Sequence, residues 1–151
     1  MSAGILQDAL ARARAEGDWQ ALVDAVPYAR YLGVKAELES GRLLLRLPFD
    51  KKLVGNPGLQ ALHGGVLGAF LETAAILTLL WRLESDVMPK TITNTVDYLR
   101  SARGEEISAS GEVTRLGRRV ASVAVAAWGR EEAKPLASAR LHFLVGGAGK
   151  P

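Results

Sequence analysis

Apolar residues recur at helical spacing from the start of the chain. Ile5, Leu6, Ala9, Leu10 and Ala13 share one face of a helix that Gly17 stops. Asp18 then reads as the N-cap of a short second helix bearing Leu22, Val23 and Val26, with Pro27 ending it. From Tyr31 the period changes. Segments 32–39 and 42–48 are extended and flank the turn signal Ser40-Gly41. Residues 49–62 form a loop punctuated by Gly55, Asn56, Pro57 and Gly58. Residues 64–83 follow, apolar on almost every face, and predict a helix buried on all sides.

After Pro89 the pattern is that of strands: 90–100, 105–116, 119–128 and 134–145, separated by Arg103-Gly104, Gly117-Arg118 and Gly129-Arg130. In the last strand Ala137, Ala139, Leu141, Phe143 and Val145 share one face, while Ser138, Arg140 and His142 share the other. Short turns between long strands predict an antiparallel meander. One long apolar helix needs a curved sheet to hide it, so the fold class is α+β, a sheet wrapped around a central helix. The chain divides into a helical extension over 1–28, one sheet-and-helix domain over 29–146 and a flexible tail over 147–151.

Composition narrows the function. With 151 residues, 48% of them hydrophobic, the chain holds one real core and too little for two. Residues 1–15 lack the basic-then-apolar order of a signal peptide, and the apolar run 66–81 is short for a membrane span and carries Glu72. The expectation is a soluble cytoplasmic protein without a membrane partner. A net charge of +3 with interspersed signs, and only 6% aromatics, argues against nucleic acid. No cysteine is present, which removes disulfides, thiolate metal sites and cysteine nucleophiles together. The two histidines, His63 and His142, lie far apart without clustered carboxylates, so neither metal nor cofactor is expected.

The candidate chemistry gathers around the central helix. His63-Gly64-Gly65 leads into it, so unpaired first-turn amides meet whatever lies there, and the helix dipole favours negative charge. That arrangement suits a thioester carbonyl oxygen that becomes an oxyanion; alternatively the glycines only permit close packing. Glu72 stands amid Phe70, Leu71, Ala74, Ala75, Ile76 and Leu77. Burying a carboxylate there costs several kcal/mol unless it is paired or protonated, which makes Glu72 a candidate general base or nucleophile. Its bland alternative is an exposed stripe or a structural hydrogen bond to Thr73 or His63. His63 suits a supporting role, since no Ser or Cys nucleophile accompanies it. Asn56 either positions substrate or water, or simply turns the chain before Pro57. His142, beside Arg140, reads as part of a solvated strand face.

These residues resemble the hotdog-fold acyl-coenzyme A (CoA) thioesterases of the phenylacetate-degradation type, over about residues 31–145. The resemblance rests on Leu32-Gly33-Val34, Pro48, the Asn56 loop, His63-Gly64-Gly65-Val66, Glu72, Tyr98-Leu99-Arg100, Gly117-Arg118-Arg119-Val120 and Phe143-Leu144-Val145. It implies a hotdog domain of five or six antiparallel strands around the helix, in a homodimer joined edge to edge and often doubled to a homotetramer. It also implies an active site shared between subunits, one giving Asn56, His63 and the Gly65 amide, the other Glu72. The substrate would be an acyl-CoA thioester, hydrolysed without a cofactor. Gly64 would touch substrate and Arg118 or Arg119 would meet CoA phosphates, with Arg100 and Arg103 as other available cations. Two departures bear on the site. Asn56 stands seven residues before His63, where the family's loop polar residue stands six before, and Gln60 competes for that role. Ile76 fills the helix position of the usual helper hydroxyl, which leaves Thr91, Thr93 or Thr95 to supply it. The rival readings are a non-catalytic acyl-thioester sensor, which predicts a lost acid, and a hotdog dehydratase, whose histidine stands in a different loop context.

Overall fold

The computed structural model describes residues 3–83 and 85–146, so the tail expected over 147–151 lies outside the described residues. Among the described residues, four α-helices and eight strands follow in the order α1 (Ala3–Glu16), α2 (Trp19–Ala25), α3 (Pro27–Leu32), β1 (Lys35–Glu39), β2 (Arg42–Leu47), β3 (Val54–Asn56), β4 (Ala61–Leu62), α4 (Gly64–Arg82), β5 (Lys90–Tyr98), β6 (Ile107–Leu116), β7 (Val120–Trp128) and β8 (Ala137–Leu144), with a short 3-10 turn at Lys51–Leu53 before β3. Asp18 caps α2 as its sequence suggests, accepting the Ala21 N–H at 3.1 Å. Pro27, expected only to end that helix, opens α3 instead. A proline at the first helical position loses no hydrogen bond, because that N–H has no partner within the helix anyway. Gly33 closes α3 at φ 80°, a left-handed backbone suited to glycine, so the extended region begins at Lys35 rather than Leu32.

Six strands form one antiparallel sheet in the order β1-β2-β6-β7-β8-β5, while β3 and β4 make a separate small hairpin within the expected loop. The expected meander holds for β6, β7 and β8. It fails for β5, which crosses to pair with β8 at the far edge, Val96 opposite Ala139 and Tyr98 opposite Ala137. The inner face carries Leu45, Ala109, Val125, Ala139 and Leu141, all buried against α4. Full burial of side chains such as Phe70, Leu71 and Leu79 contributes roughly 1.5–3 kcal/mol each.

With 19 residues, α4 is long and apolar enough to cross a bilayer, contrary to the expectation from the run 66–81. Here the sheet wraps it, and 56% of its most apolar window is buried, as in a core helix. It is not buried on every side, however. Gly68, Ala69, Glu72, Thr73 and Ile76 form a partly open stripe. The N-terminal helices cover the C-terminal half of α4, and the 28/29 boundary falls inside α3. Arg14 ties the two together. Its Nη2 donates to the carbonyls of Leu80, Leu83 and Ser85 at 3.3, 2.7 and 2.7 Å, and its Nη1 pairs with Asp86 at 2.9 Å.

Candidate active site

His63 caps α4 with an extended backbone, and its Nδ1 accepts the Gly65 N–H at 2.9 Å. Its own N–H donates to the Leu53 carbonyl at 2.9 Å, which fixes the helix start to the loop beneath. Gly55 passes so close that a Cβ there would lie 2.7 Å from the His63 Cα, an approach only glycine permits. With Nδ1 accepting, the neutral ring carries its proton on Nε2, an exposed donor. The Gly65 amide was expected to be unpaired, and in fact His63 holds it. The first-turn amide without a partner among the described residues is that of Gly64.

Glu72 lies two turns further along α4, partly exposed rather than enclosed among its apolar neighbours. The large desolvation cost inferred from sequence therefore does not arise within one chain: the helix stripe carrying Glu72 faces an opening. Thr91 Oγ1 donates to Glu72 Oε1 at 2.6 Å, and Oε2 has no partner among the described residues. Of the three threonines left open by the sequence, β5 brings Thr91 to the acid. Thr93 and Thr95 pair across the sheet with His142 and Arg140.

Tyr98 joins the same region and was missed as a site residue. Its hydroxyl donates to the Gly64 carbonyl at 2.7 Å, with the ring against Gly64 and near Gly68. The contact spans 34 residues of sequence, and no local pattern announces it.

The other candidates stand apart. Asn56 Oδ1 accepts the N–H groups of Gly58 and Leu59 at 3.1 and 3.3 Å, and Gln60 Nε2 donates to Pro57 O at 2.8 Å. Both side chains thus hold the β3–β4 turn. Arg118 and Arg119 are exposed in the β6–β7 turn, unpaired among the described residues, while Arg100 donates to Pro135 O at 2.6 Å. His142 Nδ1 lies 2.8 Å from Ser122 Oγ on the outer sheet face. No three metal-ligating side chains converge among the described residues.

A concavity of about 530 Å³ also lies on that outer face, away from Glu72. Arg42 and Glu132 pair there at 2.6 and 3.0 Å, and the Arg42 hydrogen bonds hold the Glu132 carboxyl below its usual range. A shallow groove of about 320 Å³ flanks Gly64, Tyr98 and Arg100. A narrow apolar slot of about 90 Å³ lies between the N-terminal helices and α4.

Comparison with known proteins gives a consistent result. A family model described as "Thioesterase superfamily" matches residues 59–135. The Escherichia coli medium/long-chain acyl-CoA thioesterase YigI is 33% identical over 135 residues, covering 80% of this chain and 86% of that protein. A crystal structure from Chromobacterium violaceum superposes with TM-score 0.76 and 38% identity, over 94% of this chain and 99% of that one. The E. coli PaaI protein of the phenylacetic acid degradation operon has TM-score 0.71 at 18% identity, over 94% and 97% of the respective chains.

Proposed function

The chain belongs to the thioesterase superfamily and has the hotdog fold, and from that premise we propose that it hydrolyses an acyl-CoA thioester to the free acid and CoA. Glu72 is the acid that performs the step, as general base toward water or as nucleophile toward the carbonyl carbon. The observation that carries this reading is the Thr91 Oγ1–Glu72 Oε1 hydrogen bond of 2.6 Å on the open stripe of α4. Thr91 fixes one carboxylate oxygen and leaves Oε2 to take a proton from water or to attack.

The oxyanion that forms is stabilised at the N-terminus of α4, where backbone amides and the helix dipole converge. Gly64 offers a free N–H. The Gly65 N–H joins it when the His63 ring releases that amide to the arriving carbonyl oxygen. Asn56 serves by seating the turn beneath His63, and Arg118 and Arg119 meet the phosphates of CoA.

Gly65 and Glu72 are seven residues apart, about 10 Å along the helix axis. Reacting groups must come within roughly 3–3.5 Å. That separation favours a cleft in which the amides of one chain face the acid of a second copy. The edge for that pairing is β5, nine residues with an unpaired outer side and largely exposed side chains. The opposite edge, β1, is packed against α2. The working unit is thus a homodimer, or a homotetramer built from two of them.

Thiol release from a series of acyl-CoA substrates tests the activity, and no release from any of them sinks it. Thr91→Val should lower kcat by about tenfold, the loss of one hydrogen bond to a charged group, while Thr91→Ser restores most of it. Equal rates for all three proteins would remove Thr91 from the site.

A further inference from the structure

The apolar slot between α2–α3 and α4 is walled by Leu22, Val26 and Ala29 on one side and by Thr73 and Ile76 on the other, and Met88 also lines it. Thr73 and Ile76 belong to the same partly open stripe as Glu72, one residue and one turn beyond it. Thr73 also adds no stray polarity, because its hydroxyl donates to Ala69 O at 2.8 Å. Met88 stands three residues before Thr91, so the segment that lines the slot also delivers the hydroxyl to Glu72. On its far flank Met88 lines a second concavity of about 310 Å³, with Leu6, Leu10 and Val87.

We infer that the acyl chain of the substrate threads the slot beside Glu72 and that Met88 divides it from the outer groove under α1, setting the chain length accepted. This rests on the acyl-CoA hydrolysis reading and names the group that reading leaves open. The slot's roughly 90 Å³ falls short of the ~150 Å³ apolar cavity that admits benzene, so a flexible chain that enters a few methylenes at a time suits it better than a rigid aryl ring that must enter whole. Longer chains must displace Met88, whose unbranched thioether side chain has the freedom to move aside, and then lie along Leu10 and Leu6.

Affinity for non-hydrolysable acyl-CoA thioethers of rising chain length, measured by calorimetry, tests the slot independently of turnover. In the unaltered protein affinity should rise about fourfold per methylene while the slot fills, then flatten where the chain meets Met88. Met88→Ala should remove the flattening and favour the longest chains at least tenfold. Met88→Phe should disfavour those chains and leave the rise over the shortest ones. The phenylacetyl analogue should bind at least tenfold more weakly than the octanoyl one. Parallel length profiles for all three proteins, or a phenylacetyl analogue that binds as well as octanoyl, would overturn the inference. Absence of thiol release from true thioesters would strike the hydrolase reading instead, whatever the binding profile.

Discussion

Replacing Glu72 with Gln is expected to lower kcat on an acyl-CoA by about three orders of magnitude, with KM little changed. Glutamine keeps the length and the carbonyl oxygen that accepts from Thr91, so the local geometry survives. What it loses is the proton acceptor or nucleophile, a role that contributes roughly 10²–10⁴-fold in acid–base catalysis. Three orders of magnitude correspond to about 4 kcal/mol of barrier. The partly open stripe around Glu72 makes a folding defect an unsuitable explanation for such a loss, and circular dichroism of the variant should match the parent. A kcat within tenfold of the parent would exclude Glu72 from the chemistry. Hydrolysis in ¹⁸O-labelled water, under single turnover, detects attack by the carboxylate: label enters Glu72 only through an anhydride that water opens at the Glu72 carbon.

The second large effect concerns stability. Arg14→Ala should cost about 2–3 kcal/mol in urea unfolding. Three carbonyls at the end of α4 and the following segment lose their donor, and the C-terminal dipole of the helix loses a nearby cation. The Asp86 pair adds little, because that carboxylate is 82% exposed. Arg14→Lys should recover only part of the loss, since one ammonium cannot match the planar fork that spans those carbonyls. A change below 0.5 kcal/mol for the alanine variant would show that water replaces the guanidinium without penalty.

Much of this architecture is legible along the chain because its periods are long and consistent. Alternation in 134–145 marks the buried face of β8, and the apolar run after His63 marks α4. What the pattern could not carry is what depends on distant partners. The six residues of α3 are too few for a helical period, and Pro27 signals an end and a beginning equally well. The place of β5 beyond β8 rests on pairing between segments some forty residues apart, which no turn signal encodes. The same holds at the site. Sequence placed Glu72 on a helix with His63 and Gly65, yet it overestimated the burial of Glu72 because it assumed that one chain covers every face of α4. It left three threonines equivalent, and only the register of β5, with its irregularity between Thr91 and Thr93, separates them. The capture of the Gly65 amide by His63 is a side-chain rotamer, invisible to any pattern of residue types.

The two-turn separation of Gly65 and Glu72 also has a genetic meaning. If each cleft draws its acid from one subunit and its amides from the other, two defective alleles can repair one another. A chain lacking Glu72 and a chain spoiled at the His63 end, assembled together, yield one cleft with both faults and one with neither. Activity should therefore reappear on co-expression of two inactive variants. A single allele carrying both lesions should behave in the opposite way, poisoning both clefts of every mixed dimer it enters.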